Sequence, residues 1–198
     1  MSGTRERLCR RLTTAAVCLA AFVAESGAAP PAAAVPPDLQ AAIFSRVLAF
    51  DRALKPRVGK TVTIGILFQP SNEESKHARH LIFAAFDALE KTIQDLPSRL
   101  ASHGYRDGKH LSAWIDDNEI DVIYVTAGFD ADLADIRAVV ADKRVVTLTP
   151  VRGYVERGLA IAVVARKNRP QVVVNLRASR AAGMDLDPKV LQLSDVLK

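Results

Sequence analysis

The sequence is poor in residues that carry covalent and redox chemistry. Its 198 residues include two cysteines, Cys9 and Cys18, and both lie near the amino terminus. Beyond residue 18 the chain can therefore form no disulfide, thiolate nucleophile or cysteine-ligated metal centre. Aromatic residues make up only 6% of the chain, and they are not interleaved with runs of Lys and Arg. This composition argues against nucleic acid as a partner.

The signatures of nucleotide binding and of hydrolysis are also missing. The sequence contains neither GxGxxG nor GxxxxGK[ST], and no serine lies in a nucleophile-elbow motif. Two acidic pairs, Asp116 with Asp117 and Asp130 with Asp132, suit helix ends better than acid catalysis. We therefore predict that the protein is not an enzyme and needs no cofactor.

One histidine pair has a spacing that metal sites use. His77 and His80 lie three residues apart on a predicted helix, and Glu73 and Glu74 come one turn earlier. Such a face can hold a metal ion, but the solvated surface of a helix often has the same pattern. We predict a solvated surface and no metal site.

The first residues have the pattern of an export signal. Four arginines precede a stretch of about 12 apolar residues, from Thr13 to Ala24, which suits a secretory signal better than a membrane span. Small residues follow at positions 26–29. We predict a signal peptide over residues 1–28, cleaved near residue 28, and hence a periplasmic protein. An Ala/Pro-rich linker is predicted over 29–37, followed by a single domain over 38–198.

Hydrophobic periodicity in that domain alternates between strands and helices. Leu39, Ile43, Val47, Phe50 and Leu54 predict one apolar helix face after an amino-terminal cap at Asp38. Buried strands are predicted at 61–68, 121–126 and 145–149. Long helices are predicted after the first two of these strands. One runs from a cap at Asn72 to Pro97 and the other spans 130–142, while the segment 98–105 is left open between strand and loop.

The last forty residues predict an antiparallel hairpin. Two β-rich runs, 158–166 and 171–176, flank the polar turn Lys167–Pro170. Strands that alternate with helices imply a layered α/β sheet, and most of its strands should be parallel. We therefore predict a mainly parallel sheet flanked by helices, with an antiparallel hairpin at its carboxyl-terminal side.

In such sheets a ligand site tends to form where the parallel strands end. Polar and aromatic side chains follow the predicted strands at these points. The candidate ligand- or partner-binding residues are Gln69, Ser71, Asn72, Thr126, Phe129, Thr149, Arg152 and Tyr154. Ser71 and Asn72 could bind an anion through free N–H groups at a helix start, although a simple helix cap explains them as well.

A series of short segments in fixed order resembles the YfiR/HmsC family of periplasmic proteins. The segments are Asp121–Thr126, Val145–Thr149, Tyr154 to Gly158, Asn175–Leu176, Ala178 to Gly183 and Leu191 to Leu193. The resemblance is good over 121–197 and loose over 38–117. The absence of cysteine beyond residue 18 departs from those members that carry disulfides.

The resemblance implies a small exported α/β domain that regulates by contact. The best-known member represses an inner-membrane diguanylate cyclase and so restrains biofilm formation, and relatives occur beside sensor kinases. Our first hypothesis is therefore a regulatory or sensing protein that binds such a membrane partner and performs no chemistry. The alternative is a periplasmic small-ligand-binding protein that serves a transporter or a sensor.

Overall fold

A computed structural model describes residues 34–89 and 91–198. The predicted signal peptide and the first part of the predicted linker lie outside these residues. Within them, all eight strands form one sheet in the order β2-β3-β1-β4-β5-β6-β7-β8. The strands are β1 Val62–Phe68, β2 Thr92–Ile93, β3 Leu96–Gly104, β4 Val122–Val125, β5 Val146–Thr149, β6 Ile161–Arg166, β7 Arg169–Asn175 and β8 Asp195–Leu197.

Most neighbouring strands of this sheet are parallel. β1 lies between β3 and β4, and β5 and β6 continue the parallel order. The antiparallel pairs are β2 with β3 and β6 with β7, and β8 joins β7 in parallel at the sheet edge. The predicted fold class, a mainly parallel α/β sheet with a carboxyl-terminal antiparallel hairpin, is confirmed.

Helices cover both faces of the sheet. They are α1 Pro37–Ala49, α2 Leu54–Val58, α3 Glu73–Asp87, α4 Gly108–Asp117, α5 Leu133–Asp142, α6 Arg152–Glu156, α7 Leu176–Ala181 and α8 Pro188–Gln192. Residues of α1 and α3 pack into one core, and residues of α4, α5 and α6 pack into the other. Successive strand residues point to opposite faces, so Val122 and Tyr124 enter the first core and Ile123 and Val125 the second.

The first helix buries a different face from the one that the sequence predicts. Its buried residues are Gln40, Ala41, Phe44, Val47 and Leu48. Leu39 and Phe50 of the predicted stripe are each 41% exposed, and Leu54 belongs to α2. The helix begins at Pro37, so Asp38 lies in its first turn and is not its cap. The prediction failed because α1 carries two overlapping apolar faces, and periodicity alone does not say which one enters the core.

The sequence predicts that the helix after β1 continues to Pro97, but α3 ends ten residues earlier, at Asp87. A hairpin of β2 and β3 follows it. The two turn residues, Gln94 and Asp95, have φ of 51° and 64°, which is the left-handed geometry of a tight hairpin turn. Asn-Gly is the usual signal for such a turn, and this pair lacks it. The segment left open, 98–105, lies largely in β3.

The hairpin of β6 and β7 lies where the sequence predicts an antiparallel hairpin. Lys167 and Asn168 form its two-residue turn with φ of 50° and 58°, and Ile161 to Arg166 pair with Val174 to Arg169. The Asn175 side chain then accepts a hydrogen bond from the Ala178 amide at 2.9 Å. This bond caps α7 and turns the chain away from the sheet.

Gly65 gives a direct test of packing between β1 and α4. A Cβ atom on Gly65 would overlap the Trp114 ring, and this ring stacks on His103 at 4.9 Å between centroids. We expect Gly65→Ala to destabilise the protein by about 1–3 kcal/mol, the usual range for overpacking a core. Urea unfolding followed by fluorescence of Trp114, the single tryptophan, measures the change.

Gly153→Ala is the matched control for this substitution. Nothing lies within 4 Å of a Cβ atom built at Gly153, so its replacement should leave stability unchanged or slightly raised. Equal effects of the two substitutions would contradict the packing described for Trp114.

Candidate functional site

The carboxyl ends of β1 and β4 are joined by a chain of hydrogen bonds. The backbone N–H of Gln69 donates to Ser75 Oγ at 2.8 Å, and Ser75 Oγ lies 2.6 Å from Thr126 Oγ1. Thr126 donates in turn to the carbonyl of Leu67 at 3.1 Å. Because Thr126 uses its proton on Leu67, Ser75 must donate to Thr126. Both hydroxyls are buried and satisfied within the fold.

The loops after these strands also contact each other. The Gln69 amide donates to Asp132 at 3.0 Å. Asn72 caps α3 by accepting from the Ser75 N–H at 3.0 Å, and its side chain approaches Gly128 so closely that a Cβ there would lie 2.8 Å from Nδ2. The structure therefore brings Gln69, Asn72 and Thr126 to one edge of the sheet, but their side chains already bond to Asp132, to Ser75 and to the Leu67 carbonyl.

The side chain of Tyr154 holds the loop that follows β4. Its hydroxyl accepts from the backbone N–H of Phe129 at 2.7 Å and of Gly128 at 3.2 Å, and it donates to Asp130 at 3.3 Å. Burial raises the pKa of the Tyr154 phenol above its usual range. The phenol is therefore a neutral structural group that orders the loop.

The remaining candidates are scattered. Phe129 is fully buried against Tyr105, with ring centroids 5.6 Å apart. Thr149 is fully buried and accepts from the Val151 N–H at 3.2 Å. Arg152 pairs with Glu156 and Asp195, and Ser71 is exposed in the turn before α3.

Most of the polar candidates at the strand ends are thus used within the fold, whereas Ser71 is exposed and the buried Nε2 of His103, near the end of β3, has no hydrogen-bond partner. The hydroxyls, amides and phenol that the sequence places there are used to join β1, β4 and the loops between them. An incoming molecule would have to displace these bonds, each worth about 1 kcal/mol.

Tyr154→Phe tests this closed network. The substitution leaves the buried N–H of Phe129 without its acceptor, and we expect a loss of about 1–3 kcal/mol in the free energy of unfolding. Urea denaturation provides the measurement. Tyr105→Phe is the control, because the Tyr105 hydroxyl makes no hydrogen bond within residues 34–89 and 91–198, and a loss as large there would refute the assignment.

An apolar groove lies elsewhere, between α1 and α8 on the outer side of the first core. Its volume is about 390 Å³, and β7 contributes its floor. The groove, as named here, is lined by Ala42, Ile43, Arg46, Val47, Phe50, Val172, Val190, Leu193 and Ser194. Apart from Arg46 and Ser194 these side chains are apolar, so the groove favours an apolar occupant.

Exposed hydrophobic side chains concentrate at this groove. Among the described residues, four large hydrophobics are exposed: Leu39, Phe50, Leu81 and Leu193. Phe50 and Leu193 line the groove, and Leu39 lies one helical turn before Ile43. Leu193 is 86% exposed, and with Phe50 it forms an exposed apolar patch of the kind that marks interaction sites. The outer stripe of α1 is the sequence signal that marks this surface.

The described part of the chain offers no metal centre. It contains no group of three or more His, Cys, Asp and Glu side chains able to hold an ion. His80 lies 3.0 Å from Arg79. His103 stacks on Trp114, and its pKa is lowered first by burial and then by His110 and Arg106.

Of the helices in residues 34–89 and 91–198, none has the length and apolarity needed to cross a membrane.

The fold and the surface together define a doubly wound α/β domain. Most polar candidates at its strand ends bond within the fold, and an apolar groove lies between two of its helices. The chain belongs to the YfiR/HmsC-like family (DUF4154), whose family model matches residues 39–195. This membership confirms the family predicted from the sequence, and it supports a regulatory role in the periplasm. No protein among the curated sequences matches the chain significantly.

Solved structures share the fold at low sequence identity. A conserved domain protein from Vibrio cholerae is 13% identical, with a TM-score of 0.61 over 82% of this chain and 60% of its own. An ABC domain in complex with L-Trp from Streptococcus pneumonia is 15% identical, with a TM-score of 0.56 over the same shares.

A third structure has a similar extent of match. It is a ligand-free, open substrate-binding protein with adhesive properties from Clostridium difficile, 15% identical, with a TM-score of 0.52 over 74% of this chain and 57% of its own. The chain spans about 60% of the length of these proteins, and the likeness is one of fold.

Proposed function

We propose that this protein regulates a membrane-anchored signalling partner in the periplasm by direct contact and without chemistry of its own. The partner is the periplasmic part of an inner-membrane diguanylate cyclase or sensor kinase. The observation that carries this proposal is the apolar groove in a protein of a regulatory family. An exposed apolar surface of this kind is typical of a protein-interaction site.

The hydrogen bonds of the buried polar side chains support binding rather than catalysis. The buried hydroxyl, amide and phenol groups at the strand ends are satisfied by neighbouring groups. Catalysis would need a nucleophile or a base aimed into an open cleft. Predicted export to the periplasm would place the groove on the side of the membrane where the partner's sensory domain lies.

Deletion of the gene, combined with co-purification of the full chain, tests the proposed function. We expect deletion to change cyclic-di-GMP or the output of the kinase, and the tagged protein to retain the membrane partner. An unchanged signal together with the absence of any retained membrane protein would refute the proposal.

The small-ligand alternative predicts a different result. A ligand at the strand ends would raise the melting temperature of the purified protein in proportion to RT ln(1 + [L]/Kd). Thermal-shift screening with small metabolites measures this shift. Because Gln69, Thr126 and Tyr154 are already hydrogen-bonded within the fold, we expect no stoichiometric binder there, and a metabolite whose effect is lost in Asn72→Ala would favour the alternative.

A further inference from the structure

We infer that the groove between α1 and α8 accepts an acidic amphipathic helix of the partner. This inference rests on the proposed function and names the chemistry of the surface that binds. It draws on the shape of the groove and on two cations at its rim.

The two walls of the groove are spaced and lined so that a helix could pack between them. α1 supplies Ile43, Val47 and Phe50 along one wall, and Val190 and Leu193 supply the other. The lining from Ala42 to Phe50 extends about 12 Å along this wall at 1.5 Å per residue. This length matches about two turns of a partner helix, whose apolar residues would recur at i, i+4 and i+7.

Two exposed cations lie at or beside the groove. Arg46 lines it and is exposed, and Lys189 is exposed on α8 one turn before Leu193. Neither side chain forms an ion pair with any residue that the structure describes. The acidic residues of the two walls are Asp38, one turn before Ala42, and Asp187, whose carboxylate caps α8 by accepting from the Lys189 N–H at 2.8 Å. Carboxylates of the partner are therefore expected beside Arg46 and Lys189, at the end away from Asp38.

A charge-reversal experiment on the full chain tests the inference. The variant Arg46→Glu, Lys189→Glu is compared with Leu193→Glu and with the control Arg106→Glu, Lys109→Glu, whose cations lie beside α4 on the other side of the sheet. Since both rim contacts turn repulsive, we expect the first variant to retain at least about tenfold less partner than the wild type, and the control to retain it fully. Thermal melts verify that all variants are folded.

A photocrosslinker at the groove identifies the occupant. With Ala42→p-benzoylphenylalanine in living cells, the expected product joins the groove to a partner segment that has helical apolar spacing and carboxylates. Crosslinking to a neutral, basic or extended segment, or to a second copy of this chain, would overturn the inference, as would full retention by the charge-reversed rim. In those cases a retained partner leaves the proposed function standing, whereas an unchanged signal after gene deletion, together with no retained membrane protein, refutes the function itself.

Discussion

Replacing Asp51 by alanine is expected to cost about 3–5 kcal/mol of stability, the range measured when one partner of a buried ion pair is removed. The Asp51 carboxylate is fully buried and pairs with Arg57 at 3.0 Å. It also accepts from the backbone N–H of Ala53 and of Asp185. The variant would leave the Arg57 guanidinium, whose side chain is 15% exposed, without its carboxylate.

The neighbouring pair of Arg52 and Asp185 provides the control. These side chains meet at 2.9 Å but are 56% and 58% exposed, so Asp185→Ala should cost less than about 1 kcal/mol. Urea unfolding of both variants measures the difference. A loss below about 1 kcal/mol for Asp51→Ala would show that its hydrogen bonds do not hold the α1–α2 junction to the carboxyl-terminal segment.

Replacing Leu193 by glutamate is expected to abolish regulation while leaving the fold intact. Leu193 is 86% exposed, so the change removes little buried area and should alter stability by no more than about 0.5 kcal/mol. In the complex the same change would bury a charge. A central apolar anchor contributes about 2 kcal/mol or more, so partner affinity should fall about 30-fold or further.

The measurement is partner output in cells that produce the variant at wild-type level. We expect the output to match that of the deletion strain. Leu81→Glu is the matched control, since Leu81 is 44% exposed on α3 and lies outside the groove. If Leu193→Glu regulates normally, or if both variants fail alike, the groove is not the contact surface.

The parts of the fold that follow from local rules were predictable from the sequence. Val/Ile-rich runs marked β1, β4 and β5, and the polar turn predicted at Lys167–Pro170 marked the hairpin of β6 and β7, although Arg169 and Pro170 belong to β7. The hairpin at Gln94–Asp95 was missed because neither residue is glycine, although both adopt positive φ. β8 was also missed, because three residues at an edge give no periodic signal.

The sequence predicted where the candidate side chains lie, but not that they already form hydrogen bonds within the fold. Sequence spacing brought Gln69, Asn72 and Thr126 to one edge of the sheet, as the topology requires. It could not show that Ser75 completes a hydrogen-bonded chain there, since that depends on a 2.6 Å approach between Ser75 of α3 and Thr126, the residue after β4. The sequence also could not show which of the two apolar faces of α1 enters the core. Part of the face that was predicted to be buried lines the groove instead.

The turn residue Gln94 has a consequence for the kinetics of association. Its amide donates to the carbonyls of Ala49 and Asp51 at 2.8 Å each, while Gln40 near the other end of α1 bonds to Val35 and to Tyr124. A helix held at both ends presents its outer face already ordered, so docking incurs little additional loss of conformational entropy. We therefore expect substitutions inside the groove to act mainly by shortening the residence time of the partner, with a nearly constant association rate.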